Sequence, residues 1–273
     1  MIVEPKILNN ICITAHPLGC KKEVENQINY VKSQPKIKSN VKNALILGAS
    51  GGYGLASRIA IAYGLGAKTI GVSFEKPATE RRTATPGWYN NEAFSEFAKK
   101  DGIEEKTLIL DAFLNASKEE VIKEAKSFFD GKIDLFIYSL AAPVRMDEKT
   151  GILHRSTLKP IGKTYNGMGI DFMTEELLNV SIEPANEEDI KNTIKVMGGE
   201  DWQLWTDALI NADMLSKNAI NIAYSYIGPE MTKAVYRDGT IGKAKDDLEK
   251  TAHDLDKKMQ EKIKGHAYVS VNK

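Results

Sequence analysis

Cysteine is scarce: the chain has two, Cys12 and Cys20, with seven residues between them. That spacing fits no metal-ligand pattern and there is no pair of CxxC motifs, so a zinc module and a disulfide framework are both excluded. The two are read as reduced thiols. No other His, Cys, Asp or Glu cluster has metal-ligand spacing. Charge of one sign is not in excess either, because 37 Lys and Arg balance 37 Asp and Glu. A zero net charge leaves no footprint for nucleic acid or an anionic membrane. No apolar run approaches the ~20 residues of a membrane helix. The opening MIVEPKILNN has no basic region followed by an apolar stretch, so no secretory signal is expected and the expected location is cytoplasmic. Internal repeats and low-complexity tracts are absent.

What is present is enough apolar residue for a sizeable core, 42% of 273. Residues 2–14 read as two short strands about a turn at Asn9-Asn10. Residues 22–33 read as an amphipathic helix. Ala44 to Leu47 is an all-apolar strand of the kind buried on both faces. A glycine-rich turn and a helix from about Tyr53 to Tyr63 follow. Thr69 to Glu75 is a second strand, and 76–91 a polar loop with two prolines. A helix over 92–100, a strand at 108–110, a helix from Ser117 and a strand from Ile133 to Ala141 complete the alternation. Such a βαβα order predicts a parallel sheet covered on both faces, a doubly wound α/β fold. Residues 145–185 show little periodicity. Helices are expected over 187–197, 201–215 and about 240–264, with strands over 219–226 and 266–273.

The turn from Gly48 to Gly54 reads G-A-S-G-G-Y-G between a buried strand and a helix. Glycines let the backbone turn tightly and let a pyrophosphate approach the helix N-terminus, where unpaired N–H groups carry partial positive charge. Gly48, Ala49, Ser50, Gly51, Gly52 and Tyr53 are therefore candidate cofactor contacts. Glu75 ends the second strand, where an acid holds the ribose hydroxyls of NAD and repels the extra phosphate of NADP. Phe74 beside it is a possible adenine wall. Asp111-Ala112 and Leu140-Ala141 stand at the ends of the third and fourth strands, where open α/β sheets bind ligands.

A reductase of this fold also needs a proton donor and a nearby cation. Tyr224, Tyr226, Tyr236, Lys243 and Lys245 are the candidates. A phenol is a poor acid at neutral pH until a cation tunes it. Tyr236 precedes Asp238-Gly239-Thr240, a turn and helix start, so it is able to fold back over Lys245. Packing tyrosines and solvated lysines are the plainer reading of the same residues.

Seven stretches carry a resemblance over residues 1–273: TAHPLGC at 14–20, LGASGGYGLASRIA at 47–60, TPGWYNN at 85–91, YSLAAP at 138–143, LKPIGKTY at 158–165, VMGGEDWQ at 196–203 and AYSYIGPEMTKAVYRDGTIGKAKDDL at 223–248. The chain resembles the bacterial trans-2-enoyl-CoA and enoyl-acyl-carrier-protein reductases, enlarged relatives of the short-chain dehydrogenases with a Rossmann-type sheet. That family has a tyrosine and a lysine with eight residues between them, matched by Tyr236 and Lys245. The resemblance implies Tyr236 as proton donor, Lys245 as cofactor-binding cation and Tyr226 as substrate contact. It implies NADH held by Gly48 to Tyr53, Phe74-Glu75, Asp111-Ala112 and Leu140-Ala141. It also implies an enoyl-CoA or enoyl-acyl-carrier-protein substrate and a monomer when full length.

The expected organisation is a single reductase domain over 1–273. Residues 40–143 form the dinucleotide-binding core, 144–218 a substrate-side insertion and 219–273 the Tyr/Lys segment with the last strand. Members of the family continue beyond this point, so the chain is expected to be C-terminally truncated, to bind NADH weakly and to self-associate. A 3-oxoacyl thioester ketoreductase and an inactive nucleotide-binding fragment are the alternatives. His16 is read as a structural hydrogen-bonder, Trp88 and Trp202 as packing residues, and Arg81-Arg82 as solvated. The run Glu187-Glu188-Asp189 suits the first turn of a helix.

Overall fold

Asn43–Leu47 is buried at every position, and so is Thr69 to Ser73 in the next strand. Strands without a polar face must be covered on both sides, which puts helices above and below them. The computed structural model describes residues 2–8, 11–171 and 174–272. In chain order its elements are β1 (Ile7–Leu8), β2 (Ile11–Cys12), α1 (Pro17–Ser33), β3 (Asn43–Leu47) and α2 (Gly52–Ile59), which continues as a π-helical turn over Ala60–Leu65. Next come β4 (Lys68–Ser73), α3 (Pro86–Lys100), β5 (Glu105–Ile109), α4 (Asn115–Phe128), β6 (Ile133–Tyr138), β7 (Val144–Asp147), β8 (Ile152–Arg155), β9 (Tyr165–Ile170) and β10 (Leu177–Ile182). The chain ends with α5 (Glu187–Met197), α6 (Glu200–Asn211), β11 (Leu215–Tyr226), a single 3-10 turn, α7 (Thr240–Ile263) and β12 (His266–Asn272).

Six strands form one sheet in the order β12-β11-β6-β3-β4-β5. The neighbours β3–β4, β3–β6 and β4–β5 pair in parallel, with Leu47 opposite both Val72 and Tyr138. Numbered as they enter the sheet, the strands lie 6-5-4-1-2-3, the doubly wound order. The direction of winding reverses between β3 and β6, and a ligand crevice is expected at their carboxyl ends. Among the described residues, no helix is long and apolar enough to cross a membrane.

The chain divides into two compact units, Met1–Ser139 with Asp207–Ile222 and Gln260–His266, and Leu140–Thr206 with Ala223–Met259 and Ala267–Lys273. In the first, α1, α2 and α3 share a core of Val24, Ile28, Leu55, Ile59, Ala62, Ala93, Phe94 and Ala98. Each large side chain in it contributes roughly 1.5–3 kcal/mol by leaving water. His16 caps α1, its Nδ1 accepting from the Gly19 amide at 3.2 Å, and Pro17 follows where its missing N–H is harmless. In the second unit, β7–β8 and β9–β10 are antiparallel hairpins. Asn186 and Asp189 form a capping box that starts α5 with Glu187 and Glu188 in its first turn.

Several expectations need correction. The loop read over 76–91 ends at Thr85, because Pro86 occupies the first position of α3. The expected helix over 201–215 stops at Asn211: Asp213 takes φ 56° and the Met214 amide donates to the Leu209 carbonyl at 2.9 Å, closing the helix. Helix α1 begins five residues before the predicted Lys22, at Pro17. The supposedly aperiodic 145–185 holds the two hairpins. The strands flanking the predicted N-terminal turn pair as expected, while Asn9-Asn10 lies outside the described residues.

Arg58, on α2, is completely buried. Its guanidinium stacks 4.3 Å above the Phe94 ring, donates to Glu105 Oε2 at 2.5 Å, to Thr107 Oγ1 at 3.0 Å and to the Lys106 carbonyl at 2.9 Å. Burial lowers its pKa to about 10 against the opposing pull of Glu105, so it remains a cation at neutral pH. One side chain thus ties α2 to β5 and α3. Arg58→Met leaves the Glu105 carboxylate without its cationic partner and is expected to destabilise the fold by about 3 kcal/mol in urea titration at pH 7. A loss under about 1 kcal/mol would mean that the network contributes little.

Candidate active site

The first unit carries the glycine turn. The Gly48 and Ala49 amides both donate to the Val72 carbonyl, at 2.8 and 3.1 Å, which pins the turn to the end of β4. Gly54 sits so close to the Gly48 carbonyl that a Cβ there would overlap its oxygen, and it would also come within 3.3 Å of Ser139 Cβ. Only glycine lets α2 start directly against the strand end. Gly51 differs. Its φ of −161° is ordinary extended backbone, and a Cβ built on it meets no protein atom within 4 Å. Neither conformation nor packing demands a glycine there. Gly51 offers α2 no side-chain cap, so the bare end of the helix fits a phosphate that must come close.

Glu75 lies two residues beyond β4 and is held from two sides. Ser50 Oγ donates to its Oε1 at 2.5 Å, and Thr85 Oγ1 donates to its Oε2. Ser50 is itself fixed, its carbonyl accepting from Asn90 Nδ2 at 2.9 Å. The structure joins two predicted contacts directly, Ser50 to Glu75, and braces each with a residue that sequence reasoning missed, Asn90 on Ser50 and Thr85 on Glu75. Thr85, Gly87 and Asn90 all lie in the TPGWYNN stretch read as loop. The signal was available, since Thr-Pro is a helix-start pair. Phe74 beside Glu75 is 65% exposed and Tyr53 49%.

Asp111 follows β5, aligned with Phe74 by the Leu110 amide on the Ser73 carbonyl at 2.9 Å. Its carboxylate accepts from the Phe113 amide at 3.0 Å. The buried Lys118 amine donates to the Ala112 and Phe113 carbonyls at 3.2 and 3.3 Å, fixing this loop from below. Leu140 and Ala141 follow the end of β6, where the Ser139 amide donates to the Leu47 carbonyl at 3.0 Å.

The second unit carries the tyrosines and lysine. The Tyr226 and Tyr236 rings meet edge to face, 5.6 Å between centroids and 85° between planes. The Tyr236 carbonyl accepts from Gly239 N at 3.2 Å and Gly242 N at 2.8 Å, so the tyrosine caps the first turn of α7. Thr240 anchors that turn: its amide donates to the Lys159 carbonyl at 3.0 Å and its hydroxyl to the Thr157 carbonyl at 2.5 Å. Lys159 is held in turn by Asp189 at 2.7 Å. The LKPIGKTY stretch is thus the brace of the Tyr236 segment. VMGGEDWQ is a second brace, with the Gly199 amide on Asp247 Oδ2 of α7 at 2.9 Å, and its Trp202 is fully buried as expected.

Lys243 and Lys245 have different surroundings. Lys243 is half exposed and pairs with Asp246 at 3.6 Å. Lys245 is mostly buried and makes no hydrogen bond or ion pair to a described residue, and burial alone pulls its pKa below the ordinary lysine value. The Tyr236 hydroxyl likewise has no protein partner among the described residues, so no hydrogen bond joins Tyr236 to Lys245. The geometry leaves a phenol and a cation available to a ligand rather than satisfied by each other.

Two family models cover almost the whole chain: the NAD(P)H binding domain of trans-2-enoyl-CoA reductase over residues 2–80 and the trans-2-enoyl-CoA reductase catalytic region over 82–273. A Brachyspira hyodysenteriae protein named as an NADH trans-2-enoyl-CoA reductase is 86% identical across the full chain, which spans 70% of that protein. A Flavobacterium johnsoniae protein named as an NADH enoyl-acyl-carrier-protein reductase is 54% identical over the full chain and 68% of its own length. The solved Clostridium acetobutulicum trans-2-enoyl-CoA reductase in complex with NADH matches with a TM-score of 0.96 and 50% identity, over the full chain and 68% of its own. With a Rossmann-type sheet, two family models spanning residues 2–80 and 82–273 and a relative 86% identical across the full chain, this chain belongs to the trans-2-enoyl-CoA reductase family.

Proposed function

We propose that this chain reduces the C2–C3 double bond of trans-2-enoyl thioesters with NADH, the acyl group being carried by coenzyme A or acyl carrier protein. The observation that carries the reading is the head of α7, where, among the described residues, Tyr236 has no partner for its hydroxyl and the largely buried Lys245 none for its ammonium. In this reading residues 40–143 hold the dinucleotide, 144–218 form the substrate-side insertion and 219–273 carry the reacting groups. Balanced charge supports an enzyme with no nucleic-acid or membrane partner.

The residues present fit the cofactor. Gly51 leaves room for a pyrophosphate at the N-terminus of α2, and Glu75 is placed to accept from ribose hydroxyls. In this reading Asp111 and Ala112 contact the adenine, and Leu140 and Ala141 the nicotinamide ribose. When bound there, NADH would supply a hydride for the β-carbon of the enoyl thioester. Negative charge then builds on the thioester oxygen. Tyr236 donates a hydrogen bond to that oxygen and delivers the proton, with Tyr226 packed edge-on against its ring and contacting the substrate. Lys245 keeps the field positive and lowers the cost of the developing charge.

Tyr236→Phe removes one hydroxyl and little volume. With crotonyl-CoA it is expected to lower kcat by about 100-fold or more while NADH affinity barely changes. Near-normal turnover would remove Tyr236 from the mechanism, and preferential reduction of acetoacetyl-CoA by the unmutated chain would move the activity to ketoreduction.

Lys245 separates function from stability. Its folded-state pKa is depressed, so the folded state is penalised for holding the proton. That penalty is full below the folded pKa and is relieved as pH rises towards the ordinary value of 10.5. At neutral pH, Lys245→Met is therefore expected to raise Tm while weakening NADH binding and slowing turnover. A lower Tm would show that the ammonium stabilises the fold, contrary to this account.

A further inference from the structure

We infer that Thr85 is a further determinant of cofactor choice: its hydroxyl holds the Glu75 carboxylate against the start of α3, so that the carboxylate cannot yield to a 2′-phosphate. The inference rests on the reading above, in which Glu75 faces the adenosine ribose of NADH.

Thr85 stands at the N-cap of α3, where a threonine hydroxyl ordinarily accepts from an amide of the first helical turn. It makes no such bond. Its hydroxyl instead donates to Glu75 Oε2 and accepts from the Lys76 amide at 3.2 Å, while its own amide donates to the Lys76 carbonyl at 3.0 Å. The loop that leaves Glu75 is thereby closed onto the residue that begins the helix. The Trp88 amide, which a cap hydroxyl would ordinarily take, donates to the Thr85 carbonyl at 3.1 Å instead.

Gly87 completes the arrangement. A Cβ at Gly87 would overlap Glu75 Oε1 and lie 2.7 Å from Ser50 Oγ, so the first turn of α3 touches the carboxylate only because that residue is glycine. Asn90, further along the same helix, holds the Ser50 carbonyl, and Ser50 supplies the second hydroxyl on Glu75. One helix start therefore fixes both the glycine turn and the carboxylate. The partial positive charge of a 15-residue helix at its N-terminus adds to the hold.

A glutamate on a loose tether would relieve repulsion by turning away from an incoming phosphate. Glu75 has a hydroxyl on each oxygen and turns away only by breaking one of them. Each carboxylate oxygen keeps a second lone pair, so ribose hydroxyls are still accepted. Thr85 acts through Glu75, as a positioning residue.

The test measures dissociation constants of NADH and NADPH, and the cofactor-free Tm, for the unmutated chain, Thr85→Val, Thr85→Ser, Glu75→Ala and the double variant Glu75→Ala with Thr85→Val. The Kd ratio of NADPH to NADH is expected to fall about tenfold in Thr85→Val, the scale of one hydrogen bond to a charged group. Thr85→Ser should keep the original ratio. In the Glu75→Ala background Thr85→Val should change the ratio no further. Equal weakening of both cofactors by Thr85→Val would mark a merely structural role and overturn the inference. If Glu75→Ala narrows the ratio and Thr85→Val does not, this inference alone fails. If Glu75→Ala leaves the ratio unchanged, the reading of Glu75 fails and takes the inference with it. Should Thr85→Val not fold, Thr85→Ala serves in its place with the same expected shift.

Discussion

The carbonyl of Gly48 and the Cα of Gly54 stand too close for any side chain between them, and much of the first unit follows from that contact. Because α2 starts directly against the end of β3, its first turn opens at Gly51 with no side-chain cap. Its next turn sends Arg58 inward over Phe94 to reach Glu105 and Thr107 on β5. The same placement lets Ser50, inside the turn, reach Glu75 beyond the neighbouring strand. A buried ion-pair network, an open helix end and a clamped carboxylate thus share one geometric origin.

Each unit gives up local stability at residues of the proposed site. Thr85 withholds its hydroxyl from its own helix, which forgoes roughly 1 kcal/mol of capping. Lys245 holds an ammonium largely out of water with no counter-ion among the described residues. These departures from local consistency gather where the chemistry is proposed, as expected when a fold sacrifices stability for a site. The braces around them are conventional: Thr240 on Thr157 and Lys159, and Asp247 on Gly199.

Much of the first unit is legible in the sequence, because β3 is apolar throughout and the glycine turn sits where a strand must become a helix. Helix α5 is readable to the residue, since Asn186 and three acids mark its start and Gly198 its end. Residues 145–182 are not. In β9 and β10 most side chains are at least partly exposed, and Tyr165-Asn166-Gly167-Met168-Gly169-Ile170 lacks the β-branched alternation that marks a strand. The start of α3 is legible only in part: Thr85-Pro86 is a helix-start pair, but Gly87 gives the stretch the composition of a turn, and the contact with Glu75 explains why glycine follows proline. Tyr236 and Lys245 are singled out by the family resemblance, since spacing alone leaves packing tyrosines and solvated lysines as the plainer reading. What shapes their segment is long-range, because Thr240 is anchored to residues about eighty positions earlier in the chain.

Gly51 offers the most direct measurement of the central claim, that the turn is shaped for a cofactor and not only for the fold. Its backbone is ordinary and its Cβ would meet no protein atom within 4 Å, so Gly51→Ala is expected to leave Tm unchanged. In isothermal titration the same variant should weaken NADH binding by about tenfold or more, since the added methyl occupies the approach of the pyrophosphate. Unchanged Tm with unchanged NADH affinity would contradict the account, because the turn would then be open without being used.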